Sequence, residues 1–227
     1  MTSTTSTTST TSTATITLYD CATAPSPRRA RIFLAEKGIA HATVQVDLRS
    51  GEHMGDAYRQ INPQCTVPAL RADDDSGSLL LTDNAAIAAY LEARFPERPL
   101  LGATPAEKAE VASWNWRAEF EGLLAVADAL RNSAPAMANR ALPGPVDYAQ
   151  IPALAERGRA RLTRFFERLD QRLGANEFIA GPRYTIADIT ALVSIDFAGW
   201  IKLRPPPELM QLKRWHEAVS ARPSAKA

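Results

Sequence analysis

The chain has 227 residues and a mass of 24.7 kDa, enough for one large domain or two small ones with a core that needs no disulfide or metal support. Apolar residues make up 45% and charged residues 22%, and 26 Lys and Arg against 25 Asp and Glu leave a formal net charge of +1. That balance argues against a general nucleic-acid or membrane-surface binder. No apolar run approaches the roughly 18 residues that span a bilayer, and two cysteines with three histidines show neither a disulfide framework nor zinc-type spacing. The composition predicts a soluble, cytoplasmic protein whose activity must be read from motifs.

Residues 1–13 (MTSTTSTTSTTST) carry no charge and almost no apolar surface. Such a tract does not offset its ordering entropy and is expected to be disordered. It lacks the basic and apolar regions of a secretory signal and the Arg of a transit peptide. Residues 14–19 (ATITLY) alternate as a strand does. After a loop over 20–26, Pro27 opens a helix (PRRARIFLAEKG) with Gly38 just past its end. Residues 42–46 (ATVQV) read as a second strand, so the order strand-helix-strand predicts a right-handed parallel crossover. Residues 51–61 predict a short irregular helix. TVPAL at 66–70 and SLLL at 78–81 predict two short strands, with ADDDSG between them as a hairpin turn. Residues 83–95 (DNAAIAAYLEARF) have helical spacing at Ala86, Ile87, Tyr90 and Leu91.

Two prolines and a glycine in PERPLLGAT (96–104) break the pattern and read as a linker. Everything beyond it is helical in character. Helices are predicted over 106–132 (as one long element), 149–173, 185–200 and 207–221. The composition shift at the linker predicts two domains of different architecture. The expected division is a disordered tract over 1–14, an α+β domain with a four-stranded mixed sheet over 15–96, a linker over 97–105 and an all-α domain over 106–227.

Three features of the first domain carry chemistry. Val67-Pro68 is either a plain edge-strand proline or a cis pair. In the second case the Val67 N–H and C=O face outward and pair with an extended peptide ligand. Asp83-Asn84 at a helix start is either an ordinary cap or a holder for a ligand's ammonium and carboxylate. The loop 24–27 leads into a helix N-terminus, which stabilises a thiolate, and Arg28 and Arg29 add positive charge. Ser26 is either a cap or a hydrogen-bond donor to that sulfur.

Taken together these motifs resemble the cytosolic glutathione S-transferases. NP-x-x-x-VPAL followed by LTDNAAIAAYLE looks like that superfamily's glutathione-site signature, and FIAGPRYTIADI looks like its approach to a buried central helix. In the latter, Thr185 and Asp188 form a reciprocal capping box. The resemblance runs from about residue 15 to the end. APSPRRARIFLAEKG, with RPSAKA at the end, is similar to a fungal and bacterial group that includes the second yeast-type transferase.

The resemblance implies a thioredoxin-like domain followed by a helical bundle, with glutathione as co-substrate. It implies that Val67 pairs its backbone with the cysteinyl part, beside Thr66 and a cis Pro68. Asp83 and Asn84 match the family's Glu-Ser pair for the γ-glutamyl group, and His53 matches a basic position near the glycine carboxylate. Cys65 stands where related classes often have a ligand-contacting His. No Tyr or Cys fills the usual catalytic slot, which falls on Pro25. Ser26, one place later, is the first candidate, and Ser133, beside Asn132 in the helical hairpin, is the second. The implied reaction is conjugation of glutathione to a small hydrophobic electrophile, or reduction of an organic hydroperoxide, by a homodimer. Two other readings stand beside it. A glutaredoxin-type oxidoreductase lacks its Cys-x-x-Cys here, since Ala24 and Pro27 stand in place of the thiols. A non-catalytic scaffold that binds ligands or partners is the remaining alternative.

Overall fold

The computed structural model describes residues 14–75 and 77–227, so the tract expected to be disordered lies, except for Ala14, outside the described residues. The first domain is built on β1 (Thr15–Asp20), β2 (Ala42–Gln45), β3 (Ala69–Asp74) and β4 (Gly77–Leu81). They form one sheet in the order β2-β1-β3-β4. β1 and β2 are parallel, joined by α1 (Pro25–Lys37), while β3 runs antiparallel to both β1 and β4. Alternation along β1 sends Ile16 and Leu18 to one face, where Leu70, Ala72, Phe33 of α1 and Leu91 of α3 (Asn84–Arg94) complete a core. Tyr19 and Ala69 point to the other face, against Val46, Val67 and Tyr58 of α2 (Asp56–Ile61).

Several expected boundaries move. α1 starts at Pro25, with Ala24 as its N-cap, rather than at Pro27. The first-turn N–H groups of a helix have no internal partner, so both prolines fit there. β3 starts at Ala69 rather than Thr66 and continues through Asp73 and Asp74, which the sequence assigns to a turn. It is one of the two inner strands, bonded on both sides, with Asp73 opposite Thr15 and Ser78. The ladder overrides the low strand preference of Asp.

The helical domain holds α4 (Pro105–Arg117), α5 (Leu124–Arg131), α6 (Pro152–Leu173), α7 (Ile186–Ala198) and α8 (Met210–Ser220). The single helix expected over 106–132 is interrupted by a π-helical segment, Ala118–Leu123. Gly122 lies within it, and a Cβ there would sit 2.7 Å from Phe165 of α6 and 3.0 Å from the Ser194 hydroxyl of α7. A Cβ on Gly158 of α6 would lie 2.5 Å from the Ala125 carbonyl of α5. Backbone meets backbone at that crossing. α6 opens at Pro152 rather than 149, because Ile151 is extended and gives its N–H to Asn132 Oδ1 at 3.0 Å. α8 opens at Met210 rather than 207, after a turn in which Leu209 N–H bonds to the Pro206 carbonyl at 3.1 Å. Among the described residues no helix is long and apolar enough to cross a membrane.

α7 is buried on nearly every side, polar residues included, and is the axis of this domain. At its start the expected Thr185–Asp188 capping box forms. The Asp188 carboxylate is fully buried and accepts from Ile179 N–H (2.9 Å), Trp215 Nε1–H (2.9 Å), Thr185 N–H (2.9 Å) and the Thr185 hydroxyl (3.1 Å). Burial pushes its carboxyl up to about 6, against the opposing pull of those donors. Ile186 N–H bonds to the Leu100 carbonyl at 3.0 Å, and Leu100 and Leu101 give their N–H groups to Glu92 of α3 at 3.2 and 2.9 Å. The linker is thus bonded to both domains.

Asp188→Ala orphans buried donors on three segments, and loss of about 3 kcal/mol or more is expected in urea unfolding at neutral pH. Gly158→Ala is expected to cost about 1–3 kcal/mol in the same measurement, because the Ala125 backbone cannot retreat.

Candidate active site

The site forms where three strand ends meet at one end of the sheet. The register Tyr19↔Ala69 and Leu70↔Leu81 brings the end of β1, the start of β3 and the end of β4 side by side. From there the chain enters α1 at Ala24 and α3 at Asp83. Two helix N-termini, each with partial positive charge, therefore open on the same place; in the first turn of α1 only Ser26 offers an N–H, since Pro25 and Pro27 have none.

Ser26 is the second residue of α1 and is partly buried. Its Oγ accepts from Asn84 Nδ2 at 3.0 Å and from Arg29 Nη2 at 3.3 Å, and Asn84 Nδ2 also reaches the Ser26 carbonyl at 3.2 Å. Asn84 therefore bonds the two helix ends together. Arg29 is buried and pairs through Nη1 with Glu119 at 3.1 Å. Burial pushes its guanidinium down from its ordinary value, and the Glu119 carboxylate opposes that shift. Glu119 comes from the π-helical segment, so the helical domain supplies the counter-charge for α1. The sequence reading missed Glu119, which no local motif marks.

Val67-Pro68 is cis. Val67 precedes the β3 ladder, its side chain is buried under α2, and among the described hydrogen bonds its N–H and C=O take no partner. The adjacent Thr66 is different: its carbonyl accepts from Tyr58 Oη and from Asn62 Nδ2, both at 2.8 Å. Asn62 is fully buried, donates also to Thr66 Oγ1 at 3.1 Å, and accepts from Gln64 N–H at 3.0 Å. Burial pushes the Tyr58 phenol up to about 12, which keeps it a donor. Thr66 is therefore turned into the domain and supports the edge that Val67 presents. Tyr58 and Asn62 also escaped the sequence reading, and only the turn pair Asn62-Pro63 hints at them. Cys65 is buried in the left-handed region (φ 53°), with Sγ directed at the Pro63 carbonyl 3.7 Å away.

Asp83 is an exposed N-cap whose Oδ1 accepts Ala86 N–H at 2.8 Å. Its second oxygen has no described partner. The Asn84 amide N–H is likewise unbonded, at the first position of α3. Ser133 lies past the end of α5, and its hydroxyl donates back to the Ala129 carbonyl at 2.6 Å, with no described contact to Ser26. Asn132 is buried in structural bonds to Asp128 and Ile151. Cys21 lies within 3.6 Å of the Thr23 hydroxyl, away from the described network. His53 sits in a short 3-10 turn, Glu52–Met54, with its Nδ1 buried and unpartnered. Burial and the nearby Arg140 and Arg131 push its imidazolium down from the ordinary value.

The arrangement offers an unpaired strand edge, a carboxylate oxygen, two helix N-termini and a hydroxyl with a forced orientation. That set suits a small peptide bearing an anionic sulfur. Among the described residues no group of acidic, His and Cys side chains is arranged to hold a metal.

Two family profiles match the chain: "Glutathione S-transferase, N-terminal domain" over residues 23–94 and "Glutathione S-transferase, C-terminal domain" over residues 134–223. The chain is 32% identical over 212 residues to Glutathione S-transferase 2 of Saccharomyces cerevisiae, covering 92% of this chain and 87% of that protein. Among solved structures it resembles a glutathione S-transferase domain-containing protein of Marinobacter aquaeolei VT8 (TM-score 0.81, 35% identity, 92% of this chain and 98% of that one). It also resembles Gtt2 of Saccharomyces cerevisiae (TM-score 0.80, 32% identity, 92% and 98%).

Glu119→Ala strips the buried Arg29 of its counter-charge. The Glu119 side chain is 40% exposed, so the expected loss is moderated to about 2 kcal/mol, read as a lowered urea midpoint.

Proposed function

The chain belongs to the glutathione S-transferase family, and on that premise we propose that it activates the thiol of glutathione for attack on a hydrophobic electrophile or an organic hydroperoxide. Glutathione lies extended along Val67, its cysteinyl backbone bonding to the free N–H and C=O as a further strand would. Its γ-glutamyl carboxylate meets the N-terminus of α3 at Asn84 N–H, and its ammonium meets the free oxygen of Asp83. The sulfur sits at the N-terminus of α1. Thr66 acts through the position it gives Val67.

One observation carries the thiolate step. Ser26 Oγ already accepts from both Asn84 and Arg29, so both lone pairs are engaged. Its remaining capacity is its own proton, which it donates to the sulfur. The thiol releases its proton to solvent, and the helix terminus and Ser26 stabilise the anion. In conjugation the thiolate forms a carbon–sulfur bond while the leaving group departs with its electron pair. In peroxide reduction it attacks the distal oxygen and the alcohol leaves after protonation. A second glutathione then displaces water from the resulting sulfenic acid and forms the disulfide.

A homodimer is part of this reading. α3 and α4 present Ala85, Ala89, Ala93 and Ala112 around a groove of about 800 Å³. Side chains this small let a second copy approach closely. Ala89→Arg is expected to convert the dimer to a monomer in analytical ultracentrifugation, and a wild type that sediments as a monomer refutes this part.

The thiolate step is tested by titrating bound glutathione through its ultraviolet thiolate absorbance. The wild-type complex is expected to ionise about two pH units below free glutathione. Ser26→Ala is expected to return about one unit of that shift, with about a tenfold fall in kcat/KM. Glutathione bound with an unshifted thiol would make the protein a ligand-binding scaffold instead.

A further inference from the structure

A small cavity of about 30 Å³ lies where α1 and α3 of the first domain meet α4, the π-helical segment and α7 of the second. Its polar lining is Arg29, Asn84, Asn115, Glu119 and Thr190, and the remaining side chains around it are apolar. A single water needs roughly 10–15 Å³ of such space and two to four polar partners. The cavity is therefore large enough for a water, and the hydrogen bonding of its lining decides whether one belongs there.

Four of the polar residues have capacity to spare. Arg29 donates from Nη1 to Glu119 at 3.1 Å and from Nη2 to Ser26 Oγ at 3.3 Å, and its buried Nε has no partner. Asn84 donates through Nδ2 to Ser26 Oγ at 3.0 Å, and its Oδ1 has no described partner. Asn115 Oδ1 accepts from the Thr190 hydroxyl at 2.7 Å, which leaves Nδ2 as a donor without a described acceptor. Glu119 meets Arg29 through Oε1, and Oε2 has no described partner. The wall thus offers donors on Arg29 and Asn115, and acceptors on Asn84 and Glu119. A water has two lone pairs and two protons, so it matches this set one for one. A dry cavity would strand a buried guanidinium donor, which is costly.

We infer that this cavity holds an ordered water, and that Asn115 acts through it as a positioning residue for Ser26. The water accepts from Arg29 and from the Asn115 amide, and it donates to Asn84 Oδ1 and Glu119 Oε2. Arg29 and Asn84 are also the two donors to Ser26 Oγ. Holding both in place fixes the direction in which the hydroxyl sends its own proton. Asn115 has no described bond to Ser26 or to either donor, and Thr190 of α7 anchors it from the other side. The helical domain thereby sets the orientation of a hydroxyl in the first domain. The positioning role rests on the thiolate reading of Ser26, and the water site does not.

The test pairs crystallography with titration. A high-resolution crystal structure of the wild type is expected to show a water bonded to Arg29 or Asn84 on one side and to Asn115 or Glu119 on the other. An empty cavity, or a water without bonds to both domains, overturns the site. Asn115→Leu removes the amide donor and fills the space, and its crystal structure is expected to lack the water. Bound glutathione in this variant is expected to ionise about half a pH unit higher than in wild type, about a threefold fall in the ionisation constant. Calorimetric affinity for S-methylglutathione, which has no thiol to ionise, is expected to hold. Asn115→Gln keeps the amide and is expected to recover part of the shift. Thr190→Val frees Asn115 from its anchor and is expected to shift the ionisation in the same direction; it stands in if Asn115→Leu does not fold. A bound thiol that ionises in these variants as in wild type overturns the positioning role. So does an equal weakening of S-methylglutathione, which marks a distorted cleft. An unshifted thiol in the wild-type complex refutes the thiolate reading itself, and the water is then judged by the crystal structures alone.

Discussion

The fold depends on one buried carboxylate. Asp188 collects donors from the strand-like approach at Ile179, from the cap residue Thr185 and from the indole of α8. No single apolar residue joins three separate segments with directional bonds. The burial of this charge is tolerable because all of its partners are themselves buried donors that need an acceptor. With α7 anchored at its start, its far end presents Asp196, which accepts from Arg28 of α1 at 2.6 Å and bonds His216 of α8 at 2.9 Å. α1 is thereby referenced to the centre of the other domain.

α1 is held from its opposite end too. Glu36 accepts from Arg222 at 2.8 and 2.7 Å and from the Ser224 hydroxyl, and the Ala225 carbonyl accepts from Arg28 at 3.0 Å. The π-helical segment adds the third hold, through Glu119 to Arg29. Insertion of a π turn shifts the phase of a helix without breaking it. It lets the chain keep Gly122 against Phe165 and still aim Glu119 at α1.

Much of this was legible in the sequence, and the rest failed for identifiable reasons. Strand alternation in TITLY, the Pro-to-Gly frame of α1, the linker prolines and the Thr185–Asp188 box each follow a local rule, and each appears in the fold. The readings that missed were decided by tertiary context. Asp73 and Asp74 look like turn residues until the ladder holds them, Asp73 between β1 and β4 and Asp74 against β4. Residues 118–123 look helical because they are, and only the crowding at Gly122 shows why the hydrogen bonding slips. In the candidate site, Val67 and Asp83 are marked by motif spacing, since the features they carry are unpartnered backbone groups and a helix cap. Tyr58, Asn62 and Glu119 could not. They act on other protein groups, at separations the sequence does not encode. Asn84 shows the difference within one residue: its backbone N–H is free at a helix start, while its side chain is spent on Ser26.

The edge at Val67 has a consequence of another kind. A peptide N–H and C=O are the same in every residue except proline, and the side chain at this position faces inward. Chemical identity at residue 67 is therefore decoupled from what the edge offers to a partner. Drift among apolar residues there changes packing under the sheet and leaves the exposed atoms untouched. Side-chain scanning is blind to such a feature, whereas replacing the peptide by an ester removes the donor while keeping the shape. A feature of this kind is specified as a path of the chain, and the residues that fix the path are Tyr58, Asn62 and Pro68.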